Sequence, residues 1–197
     1  MSTSDTKKLP ALMRFPVLKS LTVLAWLALF SLQETYAAPN PDRLGNSNFS
    51  GNWTLDLRAS TSLDPLMNQI GAGLLDRQYA SQTRLKATLE QTDDELKIAT
   101  RGPGFALEET LYLDGHNNQN NLKLLGATSV NARTAWSKDH KELVETHQIK
   151  TKQGKDGELI IKRSLMDQGR TLVVSYVLRL NGDPNQTSAR QIWRKEG

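Results

Sequence analysis

From Phe49 onward, apolar and polar residues alternate in short runs punctuated by turn-forming residues. Trp53, Leu55 and Leu57 alternate with Thr54 and Asp56, and Leu85, Ala87 and Leu89 alternate with Arg84, Lys86, Thr88 and Glu90. A period of two sends successive side chains to opposite faces, so each run predicts a strand with one dry face. The turn Thr92-Asp93-Asp94 leads into Leu96-Lys97-Ile98, and Gly102-Pro103-Gly104 ends that strand. Phe105, Leu107, Leu111 and Leu113 then share a face, and Asp114-Gly115 is a hairpin signal. Further strands are expected over 121–128, 131–137, 143–151, 158–166, 171–180 and 187–195. About ten strands with short connections predict an all-β domain, an antiparallel up-and-down barrel or a flattened sandwich, of which the barrel is the expectation.

One connection breaks the rhythm. Over 62–77, between the first and second strands, Asp64 suits a helix N-cap and Pro65 the first helical position. Leu66, Met67, Ile70, Leu74 and Leu75 fall on one helical face. Gly71 and Gly73 interrupt it, each costing about 1 kcal/mol against alanine in a helix interior. A bent helix, or two short ones, is expected. The positions opposite the apolar ones carry Lys86, Glu90, Lys97, Glu108, Lys150, Lys162 and Arg179. A transmembrane barrel presents an apolar outer band instead, so the barrel is expected to face water.

The chain before Phe49 has a different texture. Lys7, Lys8, Arg14 and Lys19 precede an apolar run over 21–32, followed by Thr35-Tyr36-Ala37-Ala38. This order describes a signal peptide over 1–37, cleaved after Ala37, and a periplasmic or secreted protein. Lys19 keeps the run short of the ~20 residues of a spanning helix. Residues 38–48, rich in Pro, Asn, Ser and Gly, read as a flexible tether, and 49–197 as the barrel domain. The formal charge is +4 over 197 residues. Four basic residues and two acidic ones, Asp5 and Glu34, lie in 1–37, which leaves 21 basic against 19 acidic residues and a charge of +2. That balance offers no nucleic-acid footprint. The absence of cysteine excludes disulfides, thiolate metal sites, a cysteine nucleophile and a lipid on a leader cysteine.

Polar residues on inward faces are the candidate chemistry. Arg163 shares a face with Leu159, Ile161 and Leu165; Glu145 and His147 with Leu143 and Ile149; Glu109 with Phe105, Leu107 and Leu111; and Tyr176 with Val174 and Leu178. A buried arginine needs a carboxylate or an anionic ligand head group. On one reading Arg163, Tyr176 and His147 orient the polar end of a ligand. On the other, Arg163 pairs with Glu109 or Glu145 inside the barrel, or a bulge turns these residues to water. Catalysis has little support. Neither a His-x-His nor a His-Glu-x-x-His spacing occurs among the three histidines, and there is no Gly-x-Ser-x-Gly elbow. No metal or cofactor is called for, and Asp93-Asp94-Glu95 reads as a solvated turn.

The tract Phe49-Ser50-Gly51-Asn52-Trp53, with Ala135-Trp136-Ser137 and Asp167-Gln168-Gly169-Arg170-Thr171-Leu172, resembles the calycin group. That group comprises lipocalins, fatty-acid-binding proteins and exported bacterial lipocalin-like proteins, the last being the most similar in texture. The resemblance spans roughly 49–195 and implies that Gly51 and Trp53 form a structural plug. It also implies an arginine of the last strand, Arg194 or Arg190, packed over the Trp53 ring. A lid over 62–77 adds Leu66 and Ile70 to the candidate ligand residues, with Trp136. Where fatty-acid-binding proteins carry Arg-x-Tyr, this chain has Arg190-Gln191-Ile192-Trp193, so a fatty acid held in that manner is not expected. The expected function is a carrier or sequestering protein for a small, largely apolar molecule, without enzymatic activity. The alternative is a filled barrel that acts through its surface or docks on a partner, or weakly on a membrane, through 62–77. A small hydrolase or isomerase is a third possibility, for which no triad is found. Cavity volume separates the first two, since ligand pockets usually reach ~300 Å³ or more.

Overall fold

The computed structural model describes residues 47–118 and 125–197; the expected signal peptide and residues 38–46 of the tether lie outside them. The last tether residues already belong to the barrel. Ser47 donates its backbone N–H to His140 and its hydroxyl to the Lys141 carbonyl, while its own carbonyl accepts from Gln91 Nε2.

Among the described residues, ten strands form one antiparallel sheet. β1 (Gly51–Leu55) is followed by helices α1 (Asp64–Ile70) and α2 (Leu74–Gln82), then by β2 (Lys86–Gln91), β3 (Glu95–Gly102), β4 (Phe105–Tyr112) and the two-residue β5 (Asn117–Asn118). β6 (Thr128–Trp136), β7 (Glu142–Lys150), β8 (Asp156–Met166), β9 (Thr171–Leu180) and β10 (Gln186–Lys195) complete it. The order β4-β3-β2-β1-β10-β9-β8-β7-β6-β5 is a simple meander in which β1 bonds β10 and nearly closes the barrel. The edges β4 and β5 share no ladder among the described residues. The expected hairpin at Asp114-Gly115 is therefore corrected. The turn forms, with Asp114 Oδ1 accepting the His116 backbone N–H, but the strands on either side diverge. Of the strand expected over 121–128, only its last residue lies in a strand among the described residues. β6 begins at Thr128 and bulges between Ser129 and Asn131.

Alternation built this sheet as expected. In β7 the inward Leu143, Glu145, His147 and Ile149 are buried, whereas Gln148 and Lys150 are exposed. Each apolar side chain fully withdrawn from water contributes about 1.5–3 kcal/mol, and Phe49, Trp53, Leu55, Leu96, Leu111 and Leu159 are nearly inaccessible. Beyond its ladders with β1 and β9, β10 also bonds the residues that follow β1. Asp56 N–H reaches the Ile192 carbonyl, the Ser60 hydroxyl accepts Ile192 N–H, and Thr61 exchanges bonds with Arg190. That irregular run carries the chain to the helices.

The helical insertion is two short helices, broken where the glycines stand. Gly71 adopts φ 89°, closing α1 with its N–H on the Met67 and Asn68 carbonyls, and Gly73 begins α2. Two expectations are corrected. Leu63, not Asp64, is the N-cap of α1, and the Ser62 hydroxyl accepts the Asp64 N–H. The five apolar positions do not share one face either: Leu66, Met67 and Ile70 are buried, while Leu74 and Leu75 are 58% and 79% exposed. The left-handed residue at 71 redirects the chain, so the periodicity of α1 does not carry into α2.

Candidate functional site

Strand pairing decides which inward polar groups meet. Arg163 of β8 stands opposite Leu143 of β7, two residues from Glu145 on the same face, and its Nη1 forms an ion pair with Glu145 Oε1. Glu145 Oε2 is 3.1 Å from His147 Nε2, and His147 Nδ1 is 3.4 Å from the Ser129 hydroxyl at the β6 bulge. These contacts assign an Nε2–H tautomer that donates to the carboxylate. On the neighbouring strand, Tyr176 of β9 donates its phenol to Gln191 Oε1 of β10 at 2.9 Å.

A cavity of about 60 Å³ lies inside the barrel. Its polar lining is Thr100, Glu109, Arg163, Tyr176, Gln191 and Trp193, set among Leu85, Leu89, Ile98, Leu172 and Val174. Burial dominates the titration here. It pushes Glu109 above the usual carboxyl range, against the opposing fields of Arg163 and His147. It raises the Tyr176 phenol to about 12 and lowers His147 to about 4, so the imidazole is neutral at pH 7. The field of Glu109 favours an imidazolium, but desolvation prevails. Burial also lowers Arg163, which starts high enough to stay protonated.

A larger recess of about 390 Å³ opens beside α2, lined by Leu75, Asp76, Tyr79, Ala80, Gly104, Phe105 and Gly126. Its Tyr79 and Phe105 rings lie 5.7 Å apart, and Tyr79 donates its hydroxyl to the Pro103 carbonyl. A Cβ on Gly102 would meet both the Tyr79 hydroxyl and the Leu85 side chain at 2.7 Å. Gly102 thus lies beside a residue of the recess, Tyr79, and a residue of the interior cavity, Leu85.

The candidate residues fall in different places. Arg163 and Tyr176 line the cavity, whereas His147 is fully buried behind them. Leu66 and Ile70 are buried in α1 and do not line it. Trp136 stacks on Phe49 at 5.7 Å with the planes 6° apart. Phe49 in turn accepts the Trp53 indole N–H on its carbonyl at 3.0 Å. Trp136 therefore belongs to the Trp53 cluster and not to the cavity lining.

The expected arginine over Trp53 is corrected. Lys195 stands opposite Trp53 in register and places Nζ 5.3 Å from the ring centroid. Arg194, one residue away, faces outward and bonds Asp56 Oδ2 and the Thr171 hydroxyl. Arg190 is exposed on the same outer face. Sequence reasoning missed Gln191 and Trp193 as cavity residues. Their signal was parity, since Ala189, Gln191 and Trp193 alternate with Arg190 and Arg194. The recess residues Tyr79 and Phe105 had no such signal, because α2 and the β3–β4 turn meet only in the folded chain. Among the described residues no group of three or more histidine or acidic side chains is placed to hold a metal.

No sequence-family model matches this chain, and no curated protein matches it in sequence. Its likeness is to solved structures. Lipid binding protein 8 of Caenorhabditis elegans superposes with a TM-score of 0.56 at 15% identity, covering 75% of this chain and 95% of that one. Human cRBP IV gives 0.56 at 17%, covering 76% and 99%. The REP1-NXSQ fatty acid transporter gives 0.52 at 16%, covering 75% and 96%. On these likenesses the chain has the calycin-like up-and-down barrel fold of the fatty-acid- and lipid-binding proteins.

Proposed function

We propose that this protein is an exported carrier or sequestering protein, without enzymatic activity, for a small and largely apolar molecule. The observation that carries this reading is the recess of about 390 Å³ between α2 and the β3–β4 turn, bounded by Leu75, Tyr79 and Phe105. Its volume is within the range of small-molecule pockets, and Gly102 lies beside both its Tyr79 and Leu85 of the cavity with convergent polar groups. The body of a ligand would occupy the recess, and displacement of Tyr79 or Leu85 would admit its tip. Structural neighbours named as lipid-binding and fatty-acid-transporting proteins favour a carrier on this fold. Export rests on the leader-like pattern of 1–37.

A second reading draws on a different observation. The interior cavity of about 60 Å³ is well below a ligand's volume, and Leu74 and Leu75 stand exposed on α2. A filled barrel that docks on an envelope partner through α2 would have both features.

Native mass spectrometry of the protein purified from its source, followed by organic extraction, tests the two. A stoichiometric apolar compound supports the carrier. An empty protein that also fails to take up Nile red would sink that reading and leave the interaction protein.

A further inference from the structure

The barrel's charge arrangement constrains what its polar end can receive. Among the described residues lining the interior cavity, Arg163 is the cationic side chain, and Glu145 already holds it in an ion pair. Glu145 is fixed from its other oxygen by His147. A second carboxyl, Glu109, lines the same cavity without a hydrogen-bond partner, close enough for its field to act on Arg163, His147 and Tyr176. We infer that the interior site takes the uncharged, oxygen-bearing end of an apolar molecule, such as an alcohol, ketone or ester, and rejects carboxylates. This deepens the carrier reading and rests on it.

Charges must balance in this poorly solvated space. A ligand carboxylate reaching Arg163 would have to displace Glu145 or share the guanidinium with it. Either outcome leaves more than one buried carboxylate per buried cation, and an uncompensated buried charge is strongly unfavourable. Ionised, Glu109 adds a second negative charge that repels an anion; protonated, it supplies a donor to a ligand oxygen, and the discrimination then rests on the Arg163–Glu145 pair. A ligand ammonium meets the Arg163 guanidinium and finds a counter-charge only in an ionised Glu109, the form that burial disfavours. The remaining hydrogen-bonding groups also suit an uncharged acceptor. The Trp193 indole N–H is buried without a partner. Gln191, which lines the cavity, uses Oε1 to accept from Tyr176, which leaves its amide N–H groups to donate. A volume of about 60 Å³ admits the tip of a molecule and not its body.

The test is a matched set of heads on one tail: 1-decanol, 2-decanone and decanoate, each competing with Nile red at pH 7.5. We expect the neutral compounds to compete at least about tenfold better than decanoate. Partition alone favours neutral heads, so the Glu145→Gln variant supplies the control. With Arg163 released, decanoate should gain about tenfold relative to 1-decanol. Tighter binding of decanoate than of decanol to the native protein overturns the inference. So does a head-group preference that Glu145→Gln leaves unchanged. Should that variant not fold, Trp193→Phe decides: it should weaken 2-decanone several-fold while leaving naphthalene binding unchanged, and equal effects on both overturn the assignment. Failure of every probe, Nile red included, instead defeats the carrier reading on which the inference stands.

Discussion

Lys195 Nζ lies 5.3 Å from the centroid of the Trp53 ring, and the same side chain runs through the space that a Cβ on Gly51 would occupy. The Gly-x-Trp tract is therefore a three-residue device. Gly51, paired with Leu89 across the ladder, has no side chain at φ 139°, and Lys195 Cε comes within 2.7 Å of the ideal Cβ position. The lysine stem packs there and presents its ammonium to the indole face.

Gly51→Ala should lose about 1–3 kcal/mol, since it meets both an unfavourable backbone region and the Lys195 stem. Lys195→Met, which keeps the stem and removes the charge, should lose no more than about 1 kcal/mol. Urea unfolding followed by Trp53 emission measures both. Equal losses would show that the ammonium, and not the backbone, matters.

Gly71 and Gly73 sit two residues apart and should respond oppositely. Gly71 is left-handed, and an added Cβ would approach Gln153 at 2.7 Å and Lys152 Cβ at 2.9 Å. Gly73 has an ordinary φ of −62° and only Asp76 nearby. Gly71→Ala should lower stability by about 1 kcal/mol or more. Gly73→Ala should leave the melting temperature nearly unchanged.

Removing one partner of the interior ion pair should be costly. Glu145→Gln is expected to destabilise the fold by about 3–5 kcal/mol, because Arg163 is left buried and uncompensated. The double variant Glu145→Gln with Arg163→Met should recover most of the loss, and chemical denaturation of the four proteins in the cycle measures the coupling.

Two buried groups give opposite pH slopes. His147 has a folded value of about 4, below its ordinary 6.5, so the unfolded chain binds the proton more readily. Its contribution is complete above 6.5 and falls away as pH drops toward 4, a change of about 3 kcal/mol. His147→Gln should flatten the acid limb of the stability profile. Glu109 is shifted upward, so its contribution is complete below the ordinary 4.5 and is lost as pH rises through the folded value. Glu109→Gln should therefore gain stability over the native protein as pH increases. Denaturation midpoints at pH 4, 6 and 8 separate the two, and parallel profiles for all three proteins would contradict both assignments.

Leu75 bounds the recess while remaining mostly exposed, so its charge can be changed without touching the core. Leu75→Asp should reduce Nile red uptake with less than about 0.5 kcal/mol effect on folding. Unchanged uptake would place the probe elsewhere.

Much of this was legible in the chain. The alternation in β7, β8 and β9 was enough to place Glu145, His147, Arg163 and Tyr176 on inward faces. The glycines at 71 and 73 were enough to divide the helical insertion. What alternation left open was the choice between Glu109 and Glu145 as the partner of Arg163. Both have the right parity, but Glu145 lies on the adjacent strand and Glu109 across the barrel.

The sequence by itself determined which residues turn inward, because side-chain direction in a strand follows from a period of two and needs no knowledge of neighbours. Tertiary structure alone decided which inward residues meet. Pairing register sets Lys195, not Arg194, over Trp53. It also aligns Arg163 with Glu145. The separation of β4 from β5 undoes a hairpin that Asp114-Gly115 predicts. Barrel curvature brings Gln191 and Trp193 to the same cavity as Glu109. Those outcomes depend on contacts between segments far apart in the chain, and a local pattern carries no information about them.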